Sequence, residues 1–93
     1  MIVGVLQIAL RLPEAHSLKE KRRVLKSLTT RLRNRFNVSI SEVDSQDAWQ
    51  SALLAVAYVG ADRGHGNRLL DQVLRFAERE RQIEVVDSKL EFL

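Results

Sequence analysis

Apolar positions along this chain change period in a regular order. From Ile2 to Leu12 the period is two. Ile2, Leu6, Ile8, Leu10 and Leu12 fall on one face, and Val3, Val5, Gln7, Ala9 and Arg11 on the other. Both faces are largely apolar at the start, which predicts a central strand. Pro13 to His16 is a short connection. From Ser17 the period becomes helical: Leu18, Leu25, Leu28, Leu32 and Phe36 form one stripe with Val24 on its flank, predicting a helix to about Arg35. Ser17 and Glu20 have the spacing of a capping box, and Pro13 lies far enough upstream not to interrupt the helix.

Phe36 to Val43 alternates again, with Val38 and Ile40 opposed to Ser39 and Ser41, as a half-exposed edge strand does. Asp44 to Asp47 is a turn by composition. Ala48 to Val59 is apolar on both sides and predicts a second central strand, with a helix over Ala48 to Ala57 as the alternative. Gly60 to Gly66 is expected to be a flexible loop, with Asn67 as the N-cap of a second helix. That helix carries Leu69, Leu70, Val73, Phe76 and Ala77 inward and ends near Arg81. Ile83 to Val86 is a last strand, and Asp87 to Leu93 an extended tail.

The expected fold is therefore α+β, a single ferredoxin-like domain over residues 1–93. Its order is β-α-β-β-α-β, a four-stranded antiparallel sheet with two helices on one face. The other sheet face would present Val3, Val5, Ala9 and one side of Leu53 to Ala57 with no layer over it. Such a face predicts a homo-oligomer or another partner packed there.

Charge adds what the pattern lacks. The chain of 93 residues has a formal net charge of +3, but Ser17 to Phe36 alone holds eight basic residues and one acid, Glu20. Lys19, Arg22, Arg23, Lys26 and Arg33 fall together opposite the apolar stripe. Lys21 does not; it projects towards the apolar side, either snorkelling along the helix edge or pointing into a cleft. A basic run on an amphipathic helix is often only a solvated face. Here the face has almost no acids to offset it, and like charges at i, i+3 and i+4 repel. The second helix, with Asp71, Arg75, Glu78, Arg79 and Glu80, is mixed in sign. The first therefore points to a polyanion or an acidic protein surface.

Composition excludes several chemistries. There is no cysteine, so disulfides, thiolate metal sites and cysteine nucleophiles are ruled out. No apolar run approaches the ~20 residues of a bilayer span, and Met1 to Leu12 lacks the basic leader of a signal peptide, so the cytoplasm is the expected location. An acylphosphatase on this fold would want a glycine-rich cradle after the first strand, and Pro13 to His16 has no glycine. A base-stacking sheet would want aromatics on its central strands, and Gln50 to Leu54 has none. Asp62 and His65 are thin evidence for a metal, and no cofactor is expected. Gly60, Gly64 and Gly66 offer a weak phosphate clasp ahead of a helix, matching no fingerprint. A catalytic site near His16, Asp62 and His65 is the weakest reading. Glu42, Asp44 and Asp47 cluster near the hairpin, as turn formers or as the complement of a neighbour's basic helix.

At Ser17-Leu18-Lys19-Glu20-Lys21-Arg22, Ser27-Leu28, Arg35-Phe36-Asn37-Val38-Ser39, Glu42-Val43-Asp44 and Gln46-Asp47-x-Trp49-Gln50 the chain resembles the YlxP-like family of small bacterial proteins, classed as a domain of unknown function. The resemblance covers nearly the whole chain. It implies a ferredoxin-like fold and, in some bacteria, a gene neighbourhood shared with transcription elongation, translation initiation and ribosome maturation factors. It brings no catalytic residues. The expected function is a non-catalytic cytoplasmic accessory protein that binds RNA or ribosome precursors. Lys19, Arg22, Arg23, Lys26 and Arg33 would contact phosphates, supported by Lys21 and Arg31. The alternative is a homo-oligomeric protein-interaction module with no nucleic-acid contact.

Overall fold

The computed structural model of the protein describes residues 1–44 and 47–93. Its elements are β1 (Ile2–Arg11), α1 (Leu18–Arg35), β2 (Ser39–Asp44), β3 (Ser51–Gly60), α2 (Arg63–Glu78) and β4 (Glu84–Phe92). The sheet order is β2-β3-β1-β4, and every neighbouring pair is antiparallel. This is the ferredoxin-like arrangement, with two helices over one sheet face.

The alternation along β1 does what its period demands. Leu6, Ile8 and Leu10 are buried, whereas Gln7 and Arg11 are exposed. They pack with Leu54, Val56 and Tyr58 of β3, Leu25, Leu28 and Leu32 of α1, and Leu70, Val73 and Ala77 of α2 in one core. Burial of one such side chain is worth roughly 1.5–3 kcal/mol, so this cluster supplies the driving force for the domain. Phe36 closes α1 and meets Phe76 of α2 edge to face, with centroids 6.3 Å apart.

Several sequence-based boundaries move. Phe36 belongs to the helix end and core, so β2 begins only at Ser39. β3 begins at Ser51, with Trp49 exposed beside it, and is strand throughout; the helical alternative over Ala48 to Ala57 does not form. Of the expected turn at Asp44 to Asp47, Ser45 and Gln46 lie outside the described residues. The extended tail is part of β4, which pairs with β1 from Arg11↔Glu84 to Gly4↔Phe92 across a bulge. Its polar sequence hid a strand because backbone pairing along the sheet edge, not apolar burial, holds it.

The glycine loop is also shorter than expected. Asp62, not Asn67, caps α2: its carboxylate accepts from the amides of Gly64 (2.9 Å) and His65 (3.3 Å). Gly64 and Gly66 are helical. A Cβ on Gly66 would stand 2.5 Å from the Tyr58 ring, so this glycine lets α2 lie against β3. The phosphate-clasp reading of Gly60 to Gly66 loses its loop, because Asp62 already occupies the first amides.

Candidate nucleic-acid interface on the first helix

Helix α1 is fastened at its start. The Ser17 hydroxyl accepts from the Glu20 amide at 3.1 Å, as expected of the cap. The returning carboxylate reaches one residue further back than a capping box prescribes: Glu20 Oε2 accepts from the His16 amide at 2.6 Å. Gln50 Nε2 donates to the carbonyls of Pro13 and Ala15, at 3.2 and 3.1 Å, and ties the preceding loop to the segment before β3.

Lys21 completes that fastening. Its side chain is 1% exposed, and its Nζ lies 2.8 Å from Glu42 Oε2 and 2.7 Å from the Ala48 carbonyl oxygen. It shares the buried stripe of Leu25, Leu28 and Leu32. This corrects its assignment to the phosphate-contacting set: the ammonium is consumed inside the fold, holding α1 to the β2–β3 hairpin. Glu42 is correspondingly a partner of this chain's own helix and not of a neighbour's. Ser17, Lys21, Glu42 and Gln50, which stand in the blocks of the family resemblance, thus all act at one structural corner.

Arg31 is also engaged. It forms a bidentate pair with Glu80, with Nη1 3.0 Å from Oε2, and lies over the Phe76 ring at 5.7 Å. The hydrogen bond from Arg31 holds the Glu80 carboxyl below the usual carboxylate range, and the same bond raises Arg31. This pair joins α1 to the turn that follows α2, so the supporting role expected of Arg31 is already committed. Arg33 donates to the Ile40 carbonyl at 2.9 Å and bridges α1 to β2, and the residue is exposed.

Lys19, Arg22, Arg23 and Lys26 are different. All four are exposed, and no ion pair engages them among the described residues. They line one shallow depression with Ser17 and Glu20. Beside it runs a groove of about 300 Å³ between α1 and β2, with Leu25, Ile40 and Leu54 on its apolar floor and Arg22, Lys26 and Arg33 on its rim. The ridge was legible from helical spacing. The groove was not, because nothing in sequence order says that β2 lies beside α1.

The weakest sequence reading does not assemble. His16 follows the end of β1, whereas Asp62 and His65 follow Gly60, the residue paired with Ile2 at its beginning. Ten strand residues, roughly 30 Å, separate those ends. Asp62 is spent as a cap, and His65 packs edge-on to Tyr58. No group of three or more metal-ligating side chains occurs among the described residues. No helix among them is long and apolar enough to cross a membrane.

Comparison with known proteins agrees with this architecture. The chain is 43% identical over 79 residues to the uncharacterized protein YlxP of Bacillus subtilis (strain 168), covering 85% of this chain and 86% of that one. Two designed proteins share the fold. Foldit4 has a TM-score of 0.57 at 14% identity, covering all of this chain and 97% of its own. LFR1 1, a design with a ferredoxin fold, has a TM-score of 0.55 at 10% identity, covering all of this chain and 84% of its own. The family model described as Protein of unknown function (DUF503) matches residues 3–90, and the chain belongs to that family.

Proposed function

We propose that this is a non-catalytic cytoplasmic accessory protein that binds RNA, including the RNA of ribosome precursors, through the outer face of α1. The observation that carries the reading is the unanswered charge of Lys19, Arg22, Arg23 and Lys26. Four cations share one face, and no carboxylate of the described residues pairs with them. Close-set cations of one sign repel each other at a cost of a few tenths of a kcal/mol per helical pair. A phosphate backbone relieves that repulsion and releases its counterions. Arg33, at the end of the adjoining groove, adds a fifth cation whose orientation is set by Ile40. Few side chains here reach base edges, so shape and charge dominate recognition.

Engagement of four phosphates predicts that log K falls against log salt with a slope of roughly −2.8 for single-stranded and −3.6 for duplex nucleic acid. The decisive variant reverses Lys19, Arg22, Arg23 and Lys26 to Glu. Filter binding or fluorescence anisotropy should show loss of RNA affinity, with thermal unfolding still cooperative. Retained affinity in a folded variant would refute the assignment. The same ridge would also attract an acidic protein. Partners recovered after thorough nuclease treatment, and lost with the same variant, would favour that reading instead.

A further inference from the structure

The other edge of the sheet carries a second surface, independent of the ridge. β4 is an edge strand of nine residues, with no strand on its outer side among the described residues. Leu93 donates its amide to the Val3 carbonyl at 2.9 Å. In an antiparallel ladder this sets the phase. Between Asp87 and Leu93, odd-numbered residues turn their amides and carbonyls towards β1, and even-numbered residues turn theirs outward. Ser88 fits that phase: its amide is satisfied by the Asp87 carboxylate, at 2.9 Å, and not by β1. Two large apolar side chains on this strand are open to solvent, Val86 at 58% and Leu90 at 41%.

We propose that two copies of this chain join edge to edge through β4, antiparallel about a two-fold axis at Ser88. An antiparallel pair between outward-facing residues is sterically and electronically allowed only if the opposed residues are both even-numbered. Placing Ser88 opposite Ser88 of the copy meets that condition as far as the bulge at Val86, beyond which the phase of the strand reverses and the pairing ends. It then opposes Asp87 to Lys89 twice, once on each side of the axis. These side chains lie on the same sheet face, since Asp87 pairs with Ala9 and Lys89 with Gln7. It also brings Val86, the extra residue of the bulge, to the level of Leu90 of the copy, at either end of the paired segment. Asp87 surrenders the Ser88 amide to the copy's carbonyl and takes the copy's Lys89 in exchange. Such an interface is isologous, as a closed dimer requires, and it removes a free strand edge that folded proteins otherwise have to protect. The axis stands perpendicular to the sheet, so the helices of both copies share one face and the two basic ridges lie at the outer ends of an eight-stranded sheet.

The register is tested by charge exchange. The wild-type chain should sediment as a dimer at high micromolar concentration. Asp87→Lys and Lys89→Asp should each weaken dimerisation by roughly tenfold, since two attractive cross-strand pairs become repulsive. The double variant restores opposite charges and should dimerise as the wild type does. A register two residues further on would oppose Lys89 to Glu91 and leave Asp87→Lys without effect. The chain has no cysteine, so Ser88→Cys should give an interchain disulfide on mild oxidation, and Ala55→Cys, on the open sheet face, should not. Circular dichroism of each variant controls for folding. A monomeric wild type, a double variant as weak as the singles, or coupling at Ala55→Cys in place of Ser88→Cys would overturn the proposal.

Discussion

Lys21 is one of eight basic residues between Ser17 and Phe36, and its fate differs from that of its neighbours. Standing three residues after Leu18 and four before Leu25, it has its stem among leucines and its ammonium against Glu42 and the Ala48 carbonyl. Removing one partner of such a pair leaves the other uncompensated. Lys21→Ala should therefore cost about 3 kcal/mol, the lower end for buried pairs, because Glu42 retains some solvent contact. Replacing both, as Lys21→Met with Glu42→Leu, should recover most of that loss in urea unfolding. Glu80 makes a different prediction. Its carboxyl is held low by Arg31, so the unfolded state binds its proton first as pH falls. The stability this contributes is present above the ordinary glutamate pKa, about 4.3, and is lost as pH falls through the lowered folded value. Glu80→Gln should flatten the acid limb of the stability curve in that window and leave the neutral region less stable than wild type.

At the scale of elements, α2 shows how a helix start can be misread when glycines are weighed alone. Gly64 and Gly66 each lower intrinsic helicity by roughly 1 kcal/mol, and the sequence around them reads as a loop. The tertiary structure overrides this through Asp62, which satisfies two free amides, and through Tyr58, whose ring occupies the space a Cβ at position 66 would need. Asp62→Ala should destabilise the domain by about 1 kcal/mol. Gly66→Ala should not gain the usual helical benefit, and should cost roughly 1–3 kcal/mol through the clash. Thermal unfolding of the two single variants checks both signs. β4 illustrates the converse. Asp87 to Phe92 lacks the apolar density of a strand, yet it is the partner that a ten-residue central strand requires on its second side.

For the whole molecule, the distribution of charge is the informative quantity. The Arg31 and Lys21 pairs staple α1 to the turn after α2 and to the hairpin, leaving Lys19, Arg22, Arg23 and Lys26 exposed and without an ion pair among the described residues. Raising salt should therefore weaken a ligand on the ridge far more than it weakens the fold. Unfolding midpoints across the same salt range should move little, because a 1%-exposed ammonium is screened much less than an exposed one. If dimers form through β4, the two ridges belong to one particle. A longer RNA able to reach both should then bind more tightly than a short one, by effective concentration and not by new contacts.

The chain by itself determined the order of elements, the inner and outer faces of β1 and the helices, and the existence of a basic ridge. These follow from local periodicity, which needs no partner to be read: two residues per strand repeat and 3.6 per helical turn. Even Lys21 was out of place in that pattern, although its destination was not visible. Tertiary structure decided which cations remain free, because Glu42 and Glu80 lie 21 and 49 residues from the cations they neutralise. It also decided the groove beside β2 and the full length of β4. Both depend on which backbone lies alongside which, a long-range fact that no window of neighbouring residues contains.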